Sequence, residues 1–192
     1  MEYKVQNLAS FQLPPDFRGR PGWYVQLWWL VQSSLFGMSP QFMYGWRRWL
    51  LRIFGATVGQ KVLIRPTARI TYPWKLFIGD HSWIGDDVVL YSLGEIQIGC
   101  NVVISQRSYI CAASHDYTSP SFDIFPKKVH IEDEVWISTN VFVAPGTTIK
   151  KGAVVGACSS VFSDLPTKML CIGCPAKPIR ERTKKLLISN DS

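Results

Sequence analysis

Histidine is the residue type in this sequence that is best suited to acid–base chemistry. The chain has three histidines, His81, His115 and His130. His115 lies in the segment Ser114-His115-Asp116-Tyr117, directly before a polar stretch of irregular sequence. A partly exposed histidine changes charge near neutral pH and can serve as a general base. We therefore take His115 as the candidate base, although its position alone also allows an ordinary loop histidine, and we expect His81 and His130 to be surface residues.

The patterns for other chemistries are weak. A Cys-x-x-Cys pair at Cys171 and Cys174 lacks the second cysteine or histidine pair that a zinc site requires. Neither a Gly-x-Ser-x-Gly nucleophile motif nor a phosphate-binding glycine loop is present in the sequence. We expect no bound metal and no covalent nucleophile. The odd cysteine count, with no apolar leader in the first 20 residues, favours a cytoplasmic protein.

Length and charge narrow the class of partner. The chain has 192 residues, 47% of them hydrophobic, and a net charge of +7, which indicates one folded domain with a sizeable core. A basic chain can bind nucleic acid, an anionic membrane or a phosphate-bearing cofactor. The basic residues concentrate towards the two ends of the chain, an arrangement that argues against a continuous nucleic-acid track. We therefore expect no nucleic-acid partner.

The fold that positions His115 is indicated by a six-residue period in the sequence. Aliphatic residues recur at every sixth position, and a small or aliphatic residue precedes each by two positions. Six residues turn an α-helix through about 600°, so a helix cannot keep this pattern on one face. A coil with three short faces can, because each hexad supplies one face and points its aliphatic residue inwards. The period predicts a left-handed parallel β-helix of hexapeptide repeats, with four runs: Val58, Ile64, Ile70; Ile78, Ile84, Leu90, Ile96; Ile98, Ile104, Ile110; and Ile131, Ile137, Val143, Ile149, Val155, Val161.

The interruptions of the period divide the chain. Residues 1–55 form a predicted N-terminal extension with helical segments, residues 56–170 the β-helix, and residues 171–192 a tail with a short basic helix over 180–188. The largest break is a predicted loop over residues 116–130. Insertions into solenoids usually carry binding surface rather than packing. The loop that follows His115 is therefore the predicted functional region.

The N-terminal extension is rich in tryptophan. Residues 21–46 contain no charged side chain, and five of the eight tryptophans lie between positions 23 and 49. Polar residues such as Gln26 and Gln32 dilute the apolar stretch, and tryptophan prefers the membrane interface to the bilayer centre. Three interpretations stay open: helices packed on the β-helix or a neighbouring subunit, helices on a membrane surface through residues 21–50, or a true membrane span.

Several motifs resemble a known family. Val135-Trp136-Ile137, Val155-Gly156-Ala157 and Asp164-Leu165-Pro166, followed by Gly-x-Pro-Ala-Lys, look like the hexapeptide-repeat sugar O-acetyltransferases. Phe17-Arg18-Gly19-Arg20-Pro21 and Ser114-His115-Asp116-Tyr117 narrow the resemblance to the colanic acid biosynthesis acetyltransferases. It covers residues 11 to about 182.

The resemblance implies an enzyme that transfers an acetyl group from acetyl-CoA to a sugar hydroxyl of an exopolysaccharide or lipid-linked oligosaccharide precursor. It also implies a homotrimer with active sites between neighbouring subunits, in the cytoplasm or at the inner face of the membrane. His115 matches the general base for direct transfer. The positions matched to the acetyl-CoA contacts are Trp136, Thr139, Ala157, Lys177 and Arg180. The family's acceptor contacts are not kept, so Asp86, Tyr91, Asp116 and Tyr117 are our own candidates for binding the saccharide.

Two other classes of function use the same repeat. One is a non-catalytic β-helix scaffold, or an acyltransferase whose acceptor is not a sugar. The other is a zinc-dependent protein of the γ-carbonic-anhydrase type, which requires three convergent histidines. The spacing of His115 and His130 does not match the close histidine pair expected of that class.

Overall fold

A computed structural model describes residues 5–183, and from Thr57 onwards the chain winds into a solenoid of parallel strands. Each coil contributes one short strand to each of three sheets, which we call faces A, B and C. This architecture confirms the predicted β-helix of hexapeptide repeats. Face A contains β1 (Thr57–Val58), β4 (Leu76–Ile78), β7 (Ile96–Ile98), β12 (Val129–Ile131) and β15 (Thr148–Ile149).

Faces B and C complete the prism. Face B contains β2 (Leu63–Ile64), β5 (Trp83–Ile84), β8 (Val103–Ile104), β13 (Trp136–Ile137), β16 (Val154–Val155), β18 (Met169–Gly173) and β19 (Ala176–Glu181). Face C contains β3 (Arg69–Ile70), β6 (Val89–Tyr91), β9 (Tyr109–Cys111), β14 (Phe142–Val143) and β17 (Ser160–Val161). The chain passes from face A to B to C in every coil, so the prism has an A–B, a B–C and a C–A corner.

The aliphatic period forms the core. On face B, Ile64 pairs with Ile84, Ile84 with Ile104 and Ile104 with Ile137, and all four side chains are buried. Small residues fill the corners and also bond the backbone: Ser82 Oγ donates to the Gly99 carbonyl at 2.7 Å and accepts from the Val102 amide at 3.0 Å. Buried polar groups are thus paired between coils.

The N-terminal segment closes the first coil. It contains a 3₁₀-helix (Leu8–Ser10), α1 (Gly22–Val31), a π-turn (Gln32–Phe36) and α2 (Tyr44–Ile53). A second 3₁₀-helix (Pro73–Lys75) lies between β3 and β4 of the solenoid. Trp28, Phe36 and Leu51 are fully buried against the core. Of the three interpretations, the structure shows helices packed on the β-helix. No helix within residues 5–183 has the length and apolar character needed to cross a membrane.

Side chains of this segment also bind the exposed edge of the first coil. Trp28 Nε1 donates to the Ile70 carbonyl at 2.8 Å, and Arg47 Nε donates to the Ile64 carbonyl at 2.6 Å. Arg52 Nε donates to the Val58 carbonyl at 2.9 Å. Each of the three faces therefore has a terminal carbonyl that is capped by a side chain rather than by another coil.

The C-terminal end differs from the prediction. The helix predicted over residues 180–188 does not begin at 180, because Arg180 and Glu181 belong to β19, which pairs antiparallel with β18. Residues 184–188 of that prediction lie outside the described residues. A strand forms here because the edge of β18 offers backbone partners that a short isolated helix would not have. β18 itself crosses the predicted boundary at residues 170 and 171.

The insertion after face C is a β-hairpin rather than an irregular loop. β10 (Ala113–His115) pairs antiparallel with β11 (Ile124–Pro126), and the chain rejoins face A at Val129 instead of after residue 130. Val129 pairs with Ile96 of the preceding coil, so the insertion leaves the register of the solenoid intact. The hairpin projects from the C–A corner of the third coil.

Arg47 offers a test of the edge-capping contacts. Its side chain is fully buried and bonds Ile64, Ser39, Pro40 and Gln41 without a carboxylate partner. Arg47→Met keeps the apolar volume but leaves buried acceptors without donors, and we expect the free energy of unfolding to fall by about 3 kcal/mol. Chemical denaturation followed by circular dichroism measures the change. Arg107→Met, at an exposed corner residue, is the control; equal stability of the two variants would contradict the capping role.

Candidate active site

The hairpin holds His115 in a defined orientation. His115 Nδ1 lies 2.8 Å from the Phe122 carbonyl oxygen, and the two rings stack at 4.2 Å with planes 10° apart. A carbonyl only accepts hydrogen bonds, so Nδ1 carries the proton in the neutral imidazole and Nε2 keeps a free lone pair. The half-buried ring therefore presents a basic nitrogen from a fixed position.

Phe122 adopts an uncommon backbone conformation to make this contact. Its φ is 53°, in the left-handed region that residues with side chains rarely adopt. The turn is closed by the Phe122 amide, which donates to the Ser119 carbonyl at 2.9 Å. Local strain of this kind is frequent at functional sites. Here it directs the Phe122 carbonyl towards the imidazole.

Two aspartates stabilise the tip of the hairpin. Asp116 Oδ1 accepts from the amide and the hydroxyl of Thr118, at 2.9 and 2.6 Å. These hydrogen bonds lower the pKa of Asp116. Asp123 accepts from the hydroxyls of Ser119 and Ser121. The carboxylate of Asp116 is thus bonded within the turn, and the Phe122 carbonyl, not Asp116, is the Nδ1 partner of His115.

The remaining hairpin-side candidates lie close to its base and tip. Tyr91 ends β6, and its carbonyl accepts from the Ala112 amide at 3.1 Å, where the insertion begins. Burial, and secondarily the Cys111 thiol, raises the pKa of Tyr91, so its phenol is neutral at physiological pH. Tyr117 at the tip is 83% exposed. Phe11, from the N-terminal segment, lies 6.2 Å from the His115 ring.

The other predicted residues lie at the B–C corner. Coil spacing places Asp86, Gln106, Thr139 and Ala157 at equivalent positions of successive coils, which we call the B–C column. The alignment is shown by the strand registers and by the Thr139 hydroxyl, which donates to the Gln106 carbonyl at 3.0 Å. The Cys158 amide donates to the Thr139 carbonyl at 3.0 Å. Coils repeat at about 4.8 Å, so the column runs for roughly 14 Å along this corner.

A depression opens beside this column. It has a volume of about 340 Å³ and is lined by residues that include Tyr44, Arg65, Trp83, Asp86 and Gln106. Arg65 Nε donates to Asp86 Oδ2 at 2.9 Å, so the Asp86 carboxylate is already paired. Aromatic, guanidinium, carboxylate and amide groups in one depression suit a polyhydroxylated ligand.

Trp136 extends the same surface along face B. Its ring is 45% exposed, and Nε1 donates to Ser105 Oγ at 3.1 Å, next to the depression. Lys177 and Arg180 are exposed on β19, at the far end of face B. Face B therefore presents an apolar ring, a depression and two cations along one side of the prism, beside the B–C column.

The predicted residues thus fall into two groups. His115, Asp116, Tyr117 and Tyr91 lie at the C–A corner. Asp86, Trp136, Thr139 and Ala157 lie at or beside the B–C corner, with Lys177 and Arg180 farther along face B on β19. Face C separates the two corners, so a single chain does not bring His115 to the B–C column. Among residues 5–183, no three histidine, cysteine, aspartate or glutamate side chains lie close enough together to hold a metal ion.

Sequence reasoning missed several residues of both groups. Phe122 acts through its backbone carbonyl and its turn conformation, which leave no pattern in the sequence. Tyr44 could not be assigned to the depression because its position depends on how α2 packs on the first coil. Arg65 and Gln106, in contrast, could have been found by counting coils from Asp86, since residues one coil apart stack directly.

No protein-family model matches the chain. The chain is 54% identical over 180 residues to the colanic acid biosynthesis acetyltransferase WcaF of Escherichia coli (strain K12). The aligned residues cover 94% of this chain and 99% of the relative. The galactoside O-acetyltransferase of the same organism is 27% identical over 138 residues, which cover 70% of this chain and 68% of that protein.

Solved structures share the fold. A hexapeptide-repeat acetyltransferase from Vibrio cholerae in complex with acetyl-CoA matches with a TM-score of 0.76 at 28% identity, over 84% of this chain and 88% of that chain. A maltose O-acetyltransferase from Clostridium difficile 630 matches with a TM-score of 0.77 at 25% identity, over 84% and 87% of the two chains.

The orientation of His115 is testable by NMR. We expect the neutral His115 ring to carry its proton on Nδ1, because Nδ1 faces the Phe122 carbonyl. Nitrogen chemical shifts of ¹⁵N-labelled histidine report the tautomer, with exposed His81 as the internal reference. A neutral His115 protonated on Nε2 would show that the contact with Phe122 does not orient the ring.

Proposed function

Because the chain belongs to the hexapeptide-repeat sugar O-acetyltransferases, in the branch of the colanic acid biosynthesis acetyltransferases, we propose a specific assignment of its residues. The chain is an acyl-CoA-dependent O-acetyltransferase, and acetyl-CoA is the donor. The acceptor is a hydroxyl of a saccharide, as an exopolysaccharide or a lipid-linked oligosaccharide precursor. His115 is the general base, and transfer is direct.

The orientation of His115 supports this role. With the proton of Nδ1 bonded to the Phe122 carbonyl, Nε2 is the nitrogen that can remove a proton from an acceptor hydroxyl. As Nε2 takes that proton, the hydroxyl oxygen bonds to the acetyl carbon of the thioester. The carbon–sulfur bond then breaks, and the proton on His115 passes to the departing sulfur. The products are an acetyl ester and coenzyme A, and the histidine returns to its starting state.

The residues of the B–C column and of face B fit the parts of the donor, in a groove that a neighbouring copy would complete. Trp136 offers an exposed apolar face to the pantetheine arm, and Thr139 and Ala157 offer a small, unobstructed corner along the B–C column. Lys177 and Arg180 offer positive charge to the phosphates. Asp86, with Tyr91, Asp116 and Tyr117 from the hairpin side, are the proposed contacts of the saccharide. The roughly 14 Å of the B–C column suits an extended chain better than a compact ligand.

The separation of the two groups within one chain supports a homotrimer. His115 and the B–C column lie at different corners of the prism, so the hairpin of one copy has to complete the groove of its neighbour. Each copy would then contribute its hairpin to one neighbour and its B–C column to the other. Such head-to-tail contacts between copies related by rotation form a closed ring. An aromatic ladder on face C, formed by Tyr109, Phe142 and Phe162, provides apolar surface that such copies can bury. We place the trimer in the cytoplasm, where acetyl-CoA is available.

The first prediction for this function concerns the base. His115→Ala should lower kcat by about 10²- to 10⁴-fold, because the acceptor hydroxyl loses its proton acceptor. The release of coenzyme A with a saccharide acceptor measures the rate. Thermal stability and assembly should not change, and His81→Ala, at an exposed corner, should keep full activity. Undiminished turnover by His115→Ala would reject the role of His115 and favour a different reaction or a non-catalytic scaffold.

The second prediction concerns the shared site. Ala157→Trp should block the groove, because Ala157 is exposed in the B–C column, and should be as inactive as His115→Ala. Co-folding the two inactive variants should restore part of the activity, since a mixed ring contains interfaces that join an intact hairpin to an intact groove. Activity is compared with mixtures that were folded separately. Absence of recovery in verified mixed assemblies would place both groups within one chain's site.

A further inference from the structure

The region that closes the solenoid has an unusual charge. Residues 17–79 contain no aspartate or glutamate, although the chain has 14 acidic residues. The same region contains these basic residues: Arg18, Arg20, Arg47, Arg48, Arg52, Lys61, Arg65, Arg69 and Lys75. An excess of positive charge at one end of a molecule steers that end towards an anionic surface.

Little of this charge is neutralised. Arg65 pairs with Asp86, and no other basic residue of the region makes an ion pair among residues 5–183. Arg48 and Arg52 bond the backbone carbonyls of Val62 and Val58, which carry no formal charge. Arg20, Lys61 and Arg69 are exposed. The end of the solenoid therefore keeps a net positive field.

The same end exposes large apolar side chains. We call this surface the cap, defined by the outward side chains of residues 18–53. Met38 is 81% exposed, Phe42 79% and Trp23 68%, and Leu30, Leu35 and Trp49 are each at least half exposed. α1 buries Val25 and Trp28 on its inner side, whereas Trp23 and Leu30 on its outer side are exposed among residues 5–183. Clustered exposed apolar residues mark interaction surfaces.

The outward residues are contiguous around α2. Leu35, Met38, Met43 and Trp46 line one shallow depression, and Trp46 stacks on Trp49 with ring centres 4.9 Å apart. Trp46 Nε1 donates to the Leu35 carbonyl at 2.8 Å, which fixes the π-turn against α2. The cap is thus a preformed surface of aromatic and aliphatic groups with cations around it.

We propose that the cap binds the surface of an anionic lipid bilayer. Tryptophan side chains and an apolar surface edged by lysine and arginine are the features of an interfacial membrane contact. A second copy fits less well, because two cationic caps would repel each other. The short helices lie on the first coil, so they can enter the headgroup region without crossing the bilayer.

This contact would orient the proposed active site, a step that rests on the proposed function. The cap lies at one end of the solenoid axis, so in a ring of parallel copies all caps face the same side. His115 follows the third coil, two coil spacings or roughly 10 Å below the first. A saccharide carried on a lipid and projecting from the headgroup region could then reach the hairpin.

Vesicle co-sedimentation of the full chain tests the proposal. We expect binding to phosphatidylcholine vesicles that contain phosphatidylglycerol, weak binding to pure phosphatidylcholine, and loss of binding at high salt. Trp23→Ser and Phe42→Ser should each weaken partitioning roughly tenfold. Arg20→Gln and Lys61→Gln should each weaken it about fivefold. Ile179→Ser is the matched control, because Ile179 is 61% exposed on β19, away from the cap.

Other outcomes overturn the proposal. Equal binding to neutral and anionic vesicles, or equal loss in Ile179→Ser and Phe42→Ser, would reject the cap as an anionic-lipid site. Absence of vesicle binding, with a smaller assembly for Phe42→Ser in solution, would assign the cap to contacts between copies. His115→Ala should bind vesicles like the unchanged protein. Retained acetyl transfer by His115→Ala would therefore contradict the proposed function. The binding of the same variant to vesicles tests the cap separately.

Discussion

The structure depends on how the first coil pairs its backbone. Every other coil is hydrogen-bonded to a coil before it, whereas the first coil has three strand edges with no strand beyond them. Trp28, Arg47 and Arg52 supply the missing donors to Ile70, Ile64 and Val58, one on each face. Gln32 completes the set by accepting from the Ile70 amide at 2.6 Å. Unpaired strand edges promote aggregation, so a solenoid needs a capping element of this kind at its end.

Once the end is closed, stacking alone arranges the surface. Because coils repeat with an unchanged register, residues at equivalent positions form straight columns, and Thr139 and Ala157 become neighbours on successive coils. The hairpin is inserted between Ala112 and Val129 without disturbing this register. The solenoid therefore provides rigid columns of side chains, while the insertion holds His115 in a turn of its own. A general base must be held in a fixed orientation at hydrogen-bonding distance from its substrate, and the turn at Phe122 provides that orientation for His115.

The sequence period predicts most of the fold, because core positions repeat and repetition is visible without coordinates. The recurring glycines have a reason that the period does not show. At Gly79 a Cβ atom would lie 2.6 Å from the Cys100 amide nitrogen, so glycine is required by the close approach of the next coil. The left-handed corner positions are instead occupied by residues such as His81, Asn101 and Asn140. The contact of His115 with Phe122, the strand β19 and the position of Tyr44 depend on tertiary packing, which local sequence does not encode.

The closure of the first coil also contributes to the positive charge of its end. Free carbonyls at a strand edge require donors, and arginine offers several donors on a long side chain. A carbonyl oxygen accepts a hydrogen bond from a guanidinium group but carries no formal negative charge. Each arginine that caps a carbonyl therefore adds a positive charge that its partner does not neutralise. A carboxylate in the same segment would compete with the carbonyls for the arginines and would weaken the closure. The absence of acidic residues from 17 to 79 leaves Arg47, Arg48 and Arg52 to the backbone carbonyls. An end built in this way has the charge that an anionic membrane surface attracts.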